Sequence, residues 1–155
     1  EPMKEKDILT NRKARHDFHI LETFEAGIVL KGTEVKALRA GKGQIRDAFA
    51  RIENEEAFLY NAHIDEYNFG NLYNHIPRAK RKLLLNKREI RKLYGLESID
   101  GHTIIPLSLY WKNGKVKLQL GVAKGKEQRD KRNDLRAKEA DREAKRSLMH
   151  FHKGK

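Results

Sequence analysis

The chain has 155 residues, 38% of them hydrophobic and 36% charged, and 34 Lys and Arg against 22 Asp and Glu give a formal net charge of +12. That composition supports one modest core with an extension rather than two domains, and so large an excess of cations suits a polyanionic partner. No apolar run approaches the roughly 20 residues that cross a bilayer, no basic start leads into an apolar signal segment, and no cysteine is present to form a disulfide, a thiolate nucleophile or a metal site, so nucleic acid in the cytoplasm is expected, not a membrane.

Residues 1–15 are polar and basic without periodicity and read as a flexible leader. Phe18, Ile20, Thr23 and Phe24 run to Ala26–Gly27, and Ile28, Val29 and Leu30 follow, which predicts two strands with a bend at Gly27. Thr33 is placed to cap a short helix carrying Val35, Ala37 and Leu38 that stops at Gly41. Ala48, Ala50 and Ile52 alternate with Phe49, Arg51 and Glu53, and a turn at Asn54–Glu56 leads into Phe58, Leu59 and Tyr60, which makes a hairpin. Residues 68–77 hold three Asn, a Gly and a Pro and predict an irregular loop. Asn86 with Glu89 has the form of a capping box, with Ile90, Leu93 and Tyr94 as the buried stripe and Gly95 as the stop. The strongest signal is Asn113–Gly114, flanked by Ile104–Trp111 and Lys115–Val122, a two-residue hairpin turn. In the second of these strands Val116, Leu118, Leu120 and Val122 share one face, and Lys115, Lys117 and Gln119 share the other. Six short strands with two small helices predict a mainly β body over residues 16–123, an antiparallel six-stranded barrel of the oligonucleotide-binding kind, whose closure removes exposed edges.

Composition shifts after Ala123. Twelve of the 34 Lys and Arg and six of the 22 Asp and Glu fall within residues 124–155, so the last fifth of the chain carries half the net charge. Its apolar residues come about once per helical turn, too few to pack against a domain. Asp134 with Lys138 and Asp141 with Lys145 are i,i+4 pairs worth about 0.2–0.5 kcal/mol each. Isolated helices are marginal in water, so this basic tail is expected to be disordered when free and helical when bound. A helix from Asp130 to Met149 would span about 30 Å.

Arg78, Lys80, Arg81 and Lys82, followed by Lys87, Arg88, Arg91 and Lys92, surround a single Glu89, a concentration that points to phosphate contact. Leu83, Leu84 and Leu85, between the two halves, read mostly as core. Lys115 and Lys117 project from one strand face. Tyr110 and Trp111 are of the type that stacks on bases, although a lone Trp beside a tight turn more often fills a core. Gly125 with Lys124 and Lys126 is suited to casual phosphate contact. The seven histidines show no ligand spacing, the serines lack a triad-like neighbourhood, and no cofactor loop is visible, so neither a metal, a cofactor nor catalysis is expected. The residues alone leave open a ribosomal or assembly protein whose arm threads ribosomal RNA, and, less well supported, an RNA-modifying enzyme.

Several segments are similar to a known family. NRKARHDF (Asn11–Phe18), ETFEAGIVLKGTEVKALRAGK (Glu22–Lys42), RKLLLNKREI (Arg81–Ile90), LSLYWKNGKVKL (Leu107–Leu118) and GVAKGK with DKR (Gly121–Arg132) resemble, in order and over nearly the whole chain, the bacterial SsrA-binding (small protein B) family. The resemblance implies a non-enzymatic factor of trans-translation. Such a factor binds the transfer-RNA-like end of transfer-messenger RNA and delivers it, with elongation factor Tu, to the small subunit of a stalled ribosome. There the tail occupies the empty decoding centre and the message channel as a helix.

The same resemblance places Glu25, Leu84 and Lys117 at RNA-binding positions and His16 near the RNA. For Glu25 two roles stand open, accepting from a guanine edge or orienting a neighbouring Arg. In the tail, Asp130, Lys131 and Arg132 match a motif at the decoding centre, and Lys145, Arg146, Leu148 and Met149 match the helical end. Two positions depart from the pattern: Arg129 stands where His or Tyr is common, and its guanidinium plane can also stack, while Ile76 stands where Asp usually precedes the proline.

Overall fold

The computed structural model describes residues 7–69, 73–126 and 128–153, with side chains in the last stretch described at Arg132 and over 134–146. The chain divides into two units, residues 1–125 and 126–155.

The first unit runs β1 (Asp7–Thr10), α1 (Ala14–Asp17), β2 (Phe18–Ile28), α2 (Gly32–Arg39), β3 (Gly43–Gln44), β4 (Phe49–Glu53), β5 (Glu56–Tyr60), β6 (His63–Ile64), β7 (Arg81–Leu84), α3 (Lys87–Glu97), β8 (His102–Lys112) and β9 (Lys115–Gly125). Six antiparallel strands close a ring in the order β8-β4-β5-β7-β2-β9 and back to β8. This is the expected six-stranded barrel, although β2, β8 and β9 are eleven residues long each. β1 adds to β8, and β3 with β6 forms a small separate sheet.

The β8–β9 hairpin turns at Asn113 and Gly114, with φ of 52° and 75°, the left-handed pair that a two-residue turn demands. The β4–β5 hairpin does the same at Asn54 and Glu55, without a glycine. From the first turn the register runs Lys112↔Lys115, Tyr110↔Lys117 and so on to His102↔Lys124. That register sends Val116, Leu118, Leu120 and Val122 inward together, where all four are buried with Leu59, Leu83, Ile104 and Leu109. Burying each such side chain contributes about 1.5–3 kcal/mol. Leu93 of α3 is buried in the same cluster.

Five expectations are corrected. Residues 7–15 are no leader. β1 pairs Asp7 with Tyr110 and Thr10 with Ser108, buried Asn11 donates through Nδ2 to the Pro106 carbonyl at 3.0 Å, and Ala14 is buried with Ile105, Leu107 and Ala123. Long β8 meets β4 at a single residue pair, Ala50↔Ile104, so β1 satisfies backbone groups that would otherwise stand open on that edge. β2 passes straight through Gly27, its irregularity lying between Ile20 and Glu22 instead. Helix α2 is capped at Lys31, whose N–H donates to Glu34 Oε1 at 2.8 Å, while the Thr33 hydroxyl meets His75 Nδ1 at 2.9 Å.

The Asn86–Glu89 capping box forms as expected, Asn86 Oδ1 accepting from the Glu89 N–H at 2.8 Å. Helix α3 then continues through Gly95 to Glu97, and the turn is made at Gly101, where φ is 82°. Because Leu96 takes the place next to Ile90 and Leu93 against the core, Tyr94 is left exposed. The body therefore extends on both sides of the 16–123 boundary, from Asp7 to the end of β9 at Gly125.

The second unit is helix α4, Gln128–Lys153, 26 residues and so about 39 Å long. Its helicity agrees with the helical reading of the tail and is longer than 130–149. Residues 135–146 are all exposed, the Asp141–Lys145 pair closes at 3.2 Å, and Asp134 is ion-paired with Lys126.

Candidate nucleic-acid interface

β2 lies between β7 and β9, and its Gly27 pairs with Leu84 on one side and Lys117 on the other. Alternation along β7 points Arg81 and Leu83 inward and Lys82 and Leu84 outward, so Leu84 is 52% exposed beside Leu83 at 2%. Leu84 is thus not core, whereas Leu83 is buried and Leu85 packs partly against the core, so the reading of the three leucines as mostly core holds for two of them. The pleat, not hydrophobicity, sorts them. A Cβ at Gly27 would stand 3.2 Å from Leu84 Cβ and 3.6 Å from Lys117 Nζ. The missing side chain lets Leu84 and the Lys117 ammonium close over the Gly27 backbone, which is itself buried. An apolar side chain and a cation thus stand side by side on the surface, a pair suited to the face of an unstacked base and an adjoining phosphate.

Glu25 stands two residues before Gly27 and opposite Gln119. Tyr110 Oη donates to its Oε2 at 2.5 Å, and Lys112 Nζ lies 3.1 Å from both carboxylate oxygens. The Tyr110 hydroxyl above all, then the Lys112 ammonium and more weakly the Lys117 charge, hold this carboxyl below its ordinary range. Of the two roles open to Glu25, the geometry displays the orienting one, toward a lysine and a tyrosine rather than an arginine.

The first basic cluster is less free than its sequence suggests. Arg81 is 3% exposed and is no surface cation. Its Nε donates to Glu34, Nη1 to the carbonyls of Ala62 at 2.7 Å and Ala79 at 3.1 Å, and Nη2 to that of Pro77 at 2.9 Å. The expectation that Arg81 contacts RNA is overturned, because counting residues along one segment cannot see a carboxylate arriving from α2. Lys80 lies 4.1 Å over the Phe58 ring and 3.2 Å from Glu53, Lys82 is 3.6 Å from Glu56, and Lys92 is 2.5 Å from Glu22. Arg78, Lys80 and Lys82 remain exposed, as do Lys87, Arg88 and Arg91.

Lys115 and Lys117 share the outer face of β9 with Gln119. His16, with Nδ1 3.0 Å from Asp17 Oδ1, and Lys124, paired with His19, lie toward the opposite end of the β2–β9 ladder. Six residues of strand separate His19 from Glu25, about 20 Å, so these two are not gathered with Glu25, Leu84 and Lys117. Trp111 packs partly into the core under the Arg39 guanidinium, 5.7 Å from its ring. In the tail unit Arg132, Lys145 and Arg146 are exposed, and Lys126 is half-buried. The side chains of Arg129, Asp130, Lys131, Leu148 and Met149 lie outside the described residues.

Two features of the site escaped the sequence reading. Lys112 could have been found by counting outward from the Asn113–Gly114 turn, which puts it on the face of Tyr110. The role of Gly27 as a floor needs the β2 register, which no local signal gives. Among the described residues no three or more His, Asp or Glu gather to hold a metal ion, and no helix is long and apolar enough to cross a membrane.

Residues 8–150 match the family model described as SmpB protein. The chain belongs to the SmpB family. The SsrA-binding protein of Shouchella clausii is 54% identical to it over 154 residues, 99% of each chain, and that of Geobacillus thermodenitrificans is 54% identical over 143 residues, 92% of each. A solved structure described as "tmRNA-SmpB: a journey to the center of the bacterial ribosome" superposes with a TM-score of 0.66 at 49% identity, covering 82% of this chain and 93% of that one. SmpB proteins are RNA-binding proteins.

Proposed function

We propose that this chain is a ribosome-rescue factor of trans-translation. Its body binds the transfer-RNA-like domain of transfer-messenger RNA and delivers that RNA to stalled ribosomes, and its tail occupies the empty decoding centre and message channel. The observation that carries the reading is the convergence of Leu84 and Lys117 on Gly27, with exposed Glu25 alongside. Lys115, Arg78 and Lys82 supply further phosphate contacts, and His16, Lys124 and Lys126 supply contacts farther along.

On this reading α4 substitutes for codon–anticodon pairing. Arg129, Asp130, Lys131 and Arg132 lie at the decoding centre, and Lys145, Arg146, Leu148 and Met149 lie along the vacant channel. Elongation factor Tu accompanies the charged RNA, the setting is the cytoplasm, and the chain contributes binding and placement rather than catalysis.

Two measurements test the division of labour. A site making 6–10 phosphate contacts loses about 10³–10⁵ in affinity between 50 and 200 mM salt, so body binding to transfer-messenger RNA is expected to weaken steeply. A flat titration removes the phosphate-contact surface from the account. Truncation after Lys126 is expected to leave RNA binding nearly intact and to abolish peptide tagging on stalled ribosomes. A truncated chain that still tags overturns the role of the tail.

A further inference from the structure

Glu25 is a carboxylate on a face whose neighbouring charges are Lys112, Lys115 and Lys117, and a polyanion repels it. Its two oxygens offer about four acceptor positions. Tyr110 Oη takes one on Oε2 at 2.5 Å, and Lys112 Nζ stands 3.1 Å from both oxygens, so most of that capacity is spent inside the protein. Both partners come from β8, on the far side of β9. Strands lie about 4.8 Å apart, so these bonds reach across about 10 Å, over the intervening strand that carries Lys117. A lone lysine samples many rotamers, whereas one tied to a carboxylate is held in place before a ligand arrives. Its ammonium has three N–H groups, so engagement with Glu25 leaves donor capacity facing solvent.

We propose that Glu25 acts on RNA through Tyr110 and Lys112, so that the RNA surface extends from β7, β2 and β9 onto β8, with Lys112 on a phosphate and the Tyr110 ring against a base or ribose. Glu25 is then a positioning residue, and Tyr110 and Lys112 are contact residues. This rests on the reading of the chain as a binder of transfer-messenger RNA. The rival arrangement has Glu25 accept directly from a base edge, with Tyr110 and Lys112 as bystanders. The two differ in how the losses combine.

The test is equilibrium binding of transfer-messenger RNA to the full chain across a salt series, for wild type, E25A, E25Q, Y110F, Y110A, K112A and the E25A/K112A double variant. Lys112→Ala is expected to weaken binding several-fold and to lower the slope of log K against log salt by about 0.7–0.9, the signature of one lost phosphate contact. The double variant is expected to lose less than the product of the two single losses, because Glu25 then has no Lys112 left to position and costs only what it exerts through Tyr110. Tyr110→Ala is expected to weaken binding more than Tyr110→Phe, which keeps the ring. The proposal is overturned if the E25A and K112A losses multiply, or if K112A leaves both affinity and slope unchanged. Should E25A fold poorly, E25Q combined with K112A answers the same question. Lys117→Ala separates the two levels. If wild type binds and K117A weakens it while K112A does not, this inference fails alone, whereas a wild-type chain that does not bind transfer-messenger RNA removes the functional reading itself.

Discussion

Arg81 and Glu34 form an ion pair inside the body, the guanidinium closed on a carboxylate from α2 while its other N–H groups fan onto the carbonyls of Ala62, Ala79 and Pro77. One side chain thus ties β7 to α2 and to the segment that leads into β7. His75, also buried, bridges Thr33 of α2 and the Ile64 carbonyl from the same segment. These two residues fix the approach of the chain to β7, and so the pleat that exposes Leu84.

Removing one partner of a buried pair leaves an uncompensated charge, so Arg81→Ala is expected to cost about 3–5 kcal/mol in stability. Arg81→Lys should recover little, because an ammonium cannot serve a fan of acceptors that a planar guanidinium reaches. Urea unfolding of both variants checks this. An Arg81→Ala variant that unfolds like wild type but binds RNA poorly would return Arg81 to the RNA surface.

Gly27→Ala places a methyl 3.2 Å from Leu84 Cβ and 3.4 Å from its Cδ1. Leu84 is half-exposed and can give way, so stability should change little while Leu84 and Lys117 are pushed apart. RNA affinity is expected to fall about tenfold, equivalent to about 1.4 kcal/mol. Gly43→Ala is the contrasting case, since its methyl would meet the His63 carbonyl oxygen at 2.8 Å. It should destabilise the fold by about 1–3 kcal/mol without a specific effect on binding. Parallel urea and RNA-binding curves for the two variants separate a binding surface from a packing constraint.

Glu97 and Glu25 respond to pH in opposite senses. Burial raises the Glu97 carboxyl above 4.5, against the hydrogen bond it accepts from the Ile52 N–H at 3.2 Å. An acid whose folded pKa lies above its unfolded value takes up protons more readily when folded. Its contribution to stability therefore improves as pH falls through the folded value toward 4.5. Glu25, held below 4.5 by Tyr110 and then Lys112, contributes stability that is present above 4.5 and lost as pH falls through its folded value. Glu97→Gln is expected to flatten the profile of urea midpoints just above pH 4.5, and Glu25→Gln the profile below it. An E97Q profile that parallels wild type would show that the burial of Glu97 has no energetic consequence.

Residues 135–146 of α4 are exposed, and the Asp141–Lys145 pair adds about 0.2–0.5 kcal/mol. A helix that depends on such pairs is marginal in water. The far-ultraviolet circular dichroism difference between the full chain and a chain ending at Lys126 is expected to show less than 26 residues of helix, to rise in trifluoroethanol and to fall with salt. A full helical difference signal that is insensitive to salt would mean that the free tail needs no target to order it.

Local signals determined much of this protein. Asn113–Gly114 fixed a turn, the turn fixed the β8–β9 register, and the register set Val116, Leu118, Leu120 and Val122 on one face and Lys115 and Lys117 on the other. The composition break after Ala123 set the arm apart, because a segment with so few apolar residues has nothing to bury. What only the tertiary structure decided is which charges meet. Arg81 and Lys82 are adjacent in sequence, yet one is buried against Glu34 and the other stands outside near Glu56, a difference set by the pleat and by residues distant along the chain. The same holds for Leu83 and Leu84, for β1 on the open edge of β8, and for Glu25 reaching Tyr110 and Lys112 over β9. Periodicity reports which face a side chain takes, but long-range pairing chooses its partners, and at this site the chemistry resides in the partners.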